Sequence, residues 1–309
     1  MTEMTNIYNL TASQIEFCLR YEQYKRFRLG VDVFMVGPII LVGLVGNTLA
    51  IMVLKRDNLN KIMSFLLQAL AFADNAYLTG CLFYQTIATL CYCTQWIPWL
   101  HDTYPYIEPY VWALASIAQM TGVWTVVLVT IDHFVAICRP FEQHRCFRTN
   151  STKIAVLLIA MLAIAYNIPR FFEQQTVLRV NKCLGREILL SRPTQMRQDR
   201  YYIIIYKTCT FFIFRMIIPF GVLTILNTKL ILTLRSASRD RTKLTHAMPN
   251  GPSTPRRQDS YNLILVTVVT VFIVCNLPDF VLRILAAFKR FAGYRIDSIK
   301  FSYATPLSN

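Results

Sequence analysis

The chain has 309 residues, of which 54% are hydrophobic and only 16% charged, against about 25% charged in ordinary soluble domains. Its apolar residues lie in long blocks rather than short periods, which excludes a pair of soluble domains and points to one integral membrane domain. The net charge of +15 does not indicate nucleic acid. Its Lys and Arg residues sit between apolar blocks, where basic loops meet anionic headgroups, and form no continuous basic face.

A bilayer core of about 30 Å needs roughly 20 apolar residues at helical rise. Six blocks answer to that requirement. Residues 33–54 form the first, without a charge. Residues 62–90 form the second, with one acid, Asp74. Residues 110–138 form the third and carry Asp132 and His133 near the end. Residues 153–172 form the fourth, a marginal block whose Lys153 and Arg170 are expected to snorkel to opposite interfaces. Residues 201–234 and 261–288 form the fifth and sixth. All six must be helices, because lipid offers the backbone no hydrogen-bond partner. They lack the alternation of a membrane β-barrel.

Residues 1–30 are mixed and polar, and read as a tail without a cleavable signal peptide. The expected organisation is this tail followed by a transmembrane domain over 31–309. Residues 56–60 make a tight polar turn. The 5–6 link contains Pro249, Gly251, Pro252 and Pro255 and reads as a loop. Charge sets orientation poorly. Lys55, Arg56 and Lys61 favour a cytoplasmic first loop, but the 4–5 and 5–6 links are both basic. Asn9-Leu10-Thr11 is a glycosylation candidate that would place the N-terminus outside. Asn150-Ser151-Thr152 has the same pattern and would lie inside.

The cysteines show no metal-ligand spacing, and most sit in apolar blocks as small hydrophobes. There is no phosphate loop and no nucleophile–base pair in a plausible setting, so an enzyme is not expected. No internal repeat supports a transporter.

Certain landmarks occur in order. Gly46-Asn47 lies in the first block and Leu70-Ala71-Phe72-Ala73-Asp74 in the second. Asp132-His133-Phe134 opens a run ending in Arg139-Pro140 at the close of the third. Pro219 lies in the fifth, and Cys275-Asn276-Leu277-Pro278 in the sixth. This order resembles the rhodopsin-like (class A) G-protein-coupled receptors. The segment Asn167-Ile168-Pro169-Arg170-Phe171-Phe172-Glu173, the Cys275-Asn276-Leu277-Pro278 run and Ile225-Leu226-Asn227 resemble the invertebrate FMRFamide-type neuropeptide receptors in particular.

The resemblance implies an all-α bundle of seven transmembrane helices, six complete here, with residues 301–309 only the start of a seventh. It leads us to expect an incomplete sequence rather than a six-helix receptor. It implies a plasma-membrane protein with an extracellular N-terminus, an extracellular peptide ligand and a cytoplasmic heterotrimeric G protein. Asn47, Asp74, Asp132, His133, Phe134, Pro219, Asn276 and Pro278 occupy its activation and coupling positions. A sodium ion near Asp74 would be the one cofactor. An acid within an apolar span is in any case a candidate functional group.

Candidate ligand-binding residues are Glu108, Trp112, Ala115, Gln119, Arg215, Asp279, Phe280 and Arg283. Arg215 lies about 21 Å along its helix from Tyr201. By the family arrangement it faces Asp279, either to pair with it or to read the opposite end of a polar ligand. The alternative is that Arg215 snorkels into headgroups or water. Ala115 stands seventeen residues before Asp132, where amine receptors of the family carry an acid, which favours a peptide. Glu108, Asp102 and Glu173 could receive a cationic arginine of such a peptide.

The sequence departs from the family in four places. His133 replaces the arginine of the third-segment motif. Glu108 occupies the place of a disulfide cysteine, which leaves Cys183 to pair with Cys91 or Cys93. The fourth segment has no tryptophan, and the seventh span is missing. These departures keep a second reading open, a non-signalling decoy or trafficking partner of full-length receptors.

Overall fold

The computed structural model describes residues 12–56, 61–94, 98–139, 149–181, 183, 186–247 and the isolated positions 274, 277, 281, 284 and 285. Five long helices and one β-hairpin fill the continuous stretches. Helix α1 runs unbroken through Ala12–Arg28, Leu29–Val36 and Gly37–Arg56. Helix α2 comprises Lys61–Cys81, Leu82–Ile87 and Ala88–Thr94, and α3 is the single helix Pro98–Cys138. Helix α4 covers Thr149–Asn167 and closes in a tighter turn, Ile168–Phe172. The hairpin follows as β1, Gln174–Asn181, and β2, Arg186–Pro193. Helix α5 comprises Tyr202–Thr210, Phe212–Ile217 and Ile218–Ala247.

The helices are longer than the apolar blocks that predict them. The expected tail is helical from Ala12 and feeds directly into the first span. Polar residues do not end a helix by themselves. Glu16–Arg20, Glu22–Lys25 and Arg28–Asp32 ion pairs at three- and four-residue spacing support this stretch. In the same way α3 begins at Pro98, well before residue 110, and contains Pro105 and Pro109.

Among the described residues, Ile15–Arg56, Trp99–Cys138, Thr149–Phe172 and Tyr202–Thr233 are each long and apolar enough to cross a membrane. Helix α2 was expected as a span but does not meet that measure by itself. Ser64, Gln68, Asp74 and Asn75 dilute its apolar residues. It packs between α1 and α3, so its polar side need not face lipid. The sixth block falls outside the continuously described residues.

Helix α3 is the axis of the bundle. It packs against α2, α4 and α5, and both hairpin strands rest on it. Half of its most apolar window is buried, against 11–28% for the other three spans. Close packing requires small residues at the crossings. A Cβ on Gly80 of α2 would stand 2.6 Å from the Cβ of Ala115 on α3, and one on Gly43 of α1 would stand 2.8 Å from Leu78. Val126 and Val127 meet Leu223 where α3 crosses α5.

The hairpin is antiparallel, pairing Gln174 with Pro193 and Asn181 with Arg186. Its Ile188 and Leu190 are buried while Leu178 and Val180 are exposed. Thr176 donates to the Pro105 carbonyl at 2.8 Å, which seats β1 on the first turns of α3. Disulfide Cys18–Cys183 ties the turn of the hairpin to α1, with the two Cα atoms 5.6 Å apart. This corrects the expected partner of Cys183. Cys91 is a free thiol in the cluster of Ala88, Tyr92 and Tyr104. Cys93, also free, lies 3.7 Å from the Lys25 carbonyl. Both point from α2 into helix packing, whereas the hairpin turn overlies the extension of α1 that the apolar pattern did not reveal.

A charged and aromatic cluster at the hairpin end

The end of the bundle beneath the hairpin collects polar groups that lipid could not satisfy. Its deepest member is Glu173, at the junction of α4 and β1, with no exposed surface. Tyr202 donates its hydroxyl to Oε1 at 2.9 Å and Lys207 donates to Oε2 at 3.1 Å. Arg197 stands 3.8 Å from the same Oε2. The Glu173 carbonyl also accepts from the Thr194 amide at 3.0 Å. One carboxylate therefore joins α4, the hairpin and the start of α5.

Arg170 sits three residues earlier, at the tight turn that closes α4. It does not snorkel as expected. It is buried, donates from Nη1 to Ser116 Oγ at 3.3 Å, and lies 5.9 Å from the ring centre of Trp112. Its Nε has no hydrogen-bond partner. The turn at Ile168–Phe172 directs the side chain inward, because Pro169 stands at its start and cannot extend the α-helical ladder. Lys153, at the other end of α4, is exposed as expected.

Glu108, Trp112, Ala115 or Ser116, and Gln119 recur at helical spacing on α3 and so share a face. Glu108 is half-buried and accepts from the Tyr92 hydroxyl at 3.0 Å. Trp112 stacks at a tilt on Tyr84 of α2, with ring centres 4.7 Å apart. Ala115 is buried against the Gly80 crossing, so it belongs to the α2–α3 contact rather than to an opening. Asp102 is engaged with His101 at 3.1 Å on an outer turn. Asp32 accepts from Arg28 and from Thr89 at 2.6 Å, and its carbonyl accepts from Thr86, which locks α1 to α2 beside the cluster. On α5, Tyr202 stacks on Tyr206, and Tyr206 stacks on Tyr166 of α4 and donates to its carbonyl at 2.6 Å.

Arg215 is buried further along α5, over the Phe211 ring at 5.2 Å. Its expected counterpart Asp279 lies outside the described residues, as do Asn276, Pro278, Phe280, Arg283 and Asn9.

The opposite end holds the activation candidates. Asp132 and His133 are buried, and Asp132 Oδ1 and His133 Nε2 have no hydrogen-bond partner. Phe134 is half-buried beside them, and Pro219 is fully buried in α5. Asn227 is also buried, with neither side-chain polar atom bonded. Asn47 is half-buried in α1. Asp74 points toward α3, where a Cβ on Gly122 would stand 3.3 Å from its Oδ1. Gly122 offers no side-chain oxygen there, and no group of three or more His, Cys, Asp or Glu lies together among the described residues.

The profile of the 7 transmembrane receptor (rhodopsin family) matches residues 46–307. The chain belongs to the rhodopsin-like receptor family. An FMRFamide receptor of Drosophila melanogaster is 29% identical over 273 residues, 87% of this chain and 48% of that protein. The FMRFamide peptide receptor frpr-18 of Caenorhabditis elegans is 27% identical over 252 residues, 80% of the chain and 54% of that protein. Galanin receptor type 1 of Rattus norvegicus is 25% identical over 274 residues, 86% of the chain and 72% of that protein. The chain spans about half the length of the two FMRFamide receptors it matches.

Within this family member the sequence singled out Glu108, Trp112 and Glu173, and the fold brings them to one end. Sequence reasoning missed Tyr84, Tyr92, Ser116, Tyr202 and Lys207 as members of that cluster, and misjudged Arg170. One signal was available. A lone Arg and a lone Glu three residues apart at the end of an apolar block are costly unless both turn toward protein.

Proposed function

We propose that the chain is a receptor for an extracellular, FMRFamide-like neuropeptide that signals by helix rearrangement to a cytoplasmic G protein. The bundle has seven helices in this reading, with residues 261–288 as the sixth span and 301–309 at the start of the seventh. The hairpin end faces outward at the plasma membrane. A disulfide at that end supports this orientation, because such bonds persist in oxidising compartments.

The observation that carries the reading is the cluster under the hairpin. A peptide ending in arginine and an aromatic residue presents a cation, a ring and backbone carbonyls. Glu108 offers a carboxylate with Tyr92 as its bonded partner, Trp112 and Tyr84 offer rings, and Arg170 offers a guanidinium with Nε unused. Glu173 is already held by Tyr202 and Lys207 and has no exposed surface, so the cation falls to Glu108. The names of the two FMRFamide receptors, covering four-fifths or more of this chain, support the same ligand class. Peptide binding would favour one arrangement of the bundle over another, and α3 and α5 would carry that shift to Asp132, His133, Phe134 and Asn227.

The test is peptide-stimulated G-protein activation in cells that display the chain at their surface. A saturable response to one or more RFamide peptides, absent in untransfected cells, is expected. Silence across the RFamide panel with verified surface display refutes the proposal.

A further inference from the structure

The hairpin end is rich in positive charge. Residues 174–200 carry six Lys or Arg against two acids, Glu187 and Asp199, a net charge of +4. One of those acids is already engaged, since Asp199 Oδ1 accepts from the Tyr202 amide at 2.8 Å at the start of α5. A ligand that brought only a cation to Glu108 would approach a face of its own sign, and like charges brought together at an interface are unfavourable.

One of these cations, Arg197, meets Lys207 at a single oxygen. Arg197 stands on the one-turn helix Gln195–Gln198 between β2 and α5. Its guanidinium lies 3.8 Å from Glu173 Oε2, and Lys207 Nζ lies 3.1 Å from the same atom. Two positive charges therefore share one carboxylate. Arg170, whose charge also acts on Lys207, contacts Ser116 and Trp112 and brings no further acid. The pair is accessible. Glu173 has no exposed surface, whereas the side chains of Arg197 and Lys207 keep 33% and 24% of theirs. Lys207 spends one of its three donors on Glu173, and Arg197 stands at ion-pair rather than hydrogen-bond distance, so both keep donors for a second acid. The charge of Arg197 acts on Glu108 as well, which sets the pair beside the residue that would read the ligand cation.

We propose that the peptide ligand carries an acidic residue upstream of its C-terminal arginine, and that this carboxylate binds across Arg197 and Lys207. The inference rests on the reading of the chain as a receptor for an arginine-bearing peptide, and it narrows that class to peptides with both signs of charge. Glu108 takes the cation and the Arg197–Lys207 pair takes the anion, so the two contacts together fix the direction in which the peptide lies. A peptide with a second cation in place of the acid is rejected by like charge.

The experiment uses the full chain displayed on cells and a series of RFamide heptapeptides in which one upstream residue at a time is Asp, Ala or Lys. G-protein activation gives a half-maximal concentration for each. At one or two adjacent positions Asp should be about fivefold more potent than Ala, the worth of a charge pair that water partly screens, and Lys should be weaker than Ala. Arg197→Gln should bring the Asp-to-Ala ratio close to one, and Arg197→Lys, which keeps the charge, should preserve it. Arg179→Gln, at an exposed position on β1, should change the ratio far less. Asp no better than Ala at every position, an Asp advantage that survives Arg197→Gln, or one lost equally in Arg179→Gln overturns this inference and leaves the receptor reading standing. Silence of the displayed wild-type chain to the whole series refutes both.

Discussion

Lys207 Nζ lies 3.1 Å from Oε2 of Glu173, so a carboxylate with no exposed surface fastens the end of α4 to the start of α5. Removing one partner of a buried pair leaves an uncompensated charge, a loss of about 3–5 kcal/mol in the general case. Lys207 keeps 24% of its side-chain surface, so the lower end of that range applies. Glu173→Ala should therefore lower the thermal unfolding midpoint of the purified chain. Adding Lys207→Ala should recover part of the loss, because the stranded cation is then gone. An unchanged midpoint in the single variant would show that water already satisfies Lys207.

Cys18, not Cys91 or Cys93, holds the hairpin. Cys18→Ser should loosen β1–β2 from α1 and lower stability by about 2–4 kcal/mol. Cys91→Ser and Cys93→Ser should leave the hairpin in place. Non-reducing peptide mapping reads the bond directly, and limited proteolysis of the hairpin reads its consequence. A Cys183 peptide linked to residue 91 or 93 would contradict the structure.

Gly80 allows α2 and α3 to touch. A methyl group there would meet Ala115 at 2.6 Å, whereas one at Gly46 would meet nothing within 4 Å. Gly80→Ala should cost about 1–3 kcal/mol through overpacking. Gly46→Ala should cost little or nothing by crowding. Detergent-resistant yield and the unfolding midpoint compare the two, and the outcome that counts against the packing is parity between them.

In the proposed peptide site, Glu108, which accepts from the Tyr92 hydroxyl, is the acid that would read a cation of the ligand. Glu108→Gln should weaken an arginine-bearing RFamide by roughly tenfold or more, the worth of a charge-assisted hydrogen bond. It should barely affect the citrulline analogue of the same peptide. Equal weakening of both peptides would mean that Glu108 supports the fold instead. Dose–response curves for the two peptides on the wild type and the variant supply the comparison.

The sequence alone determined that the chain is a membrane bundle. Block length and the absence of backbone partners in lipid permit no other secondary structure, and these depend on local composition. It also pointed to the family, because Gly46-Asn47, the run ending in Asp74, Asp132-His133-Phe134, Pro219 and Cys275-Asn276-Leu277-Pro278 resemble, in their order, the motifs of the rhodopsin-like receptors. The helix boundaries were less legible. The polar turns of α1 before Val33, and of α3 before Tyr110, look like loops when hydropathy is the guide, yet they continue as helices, that of α3 packed against the hairpin and that of α1 tied to it by Cys18–Cys183.

Only the tertiary structure decided the partners. Arg170 and Lys153 are indistinguishable as cations at the ends of one apolar block, but a tight turn at Pro169 faces Arg170 toward Trp112 and Ser116 and leaves Lys153 exposed. Cys183 was expected to pair with Cys91 or Cys93, and its pairing with Cys18 depended on where a helix, read from sequence as a tail, carried that thiol. Hydropathy records the cost of leaving water. It does not record which neighbour meets a side chain once it has left.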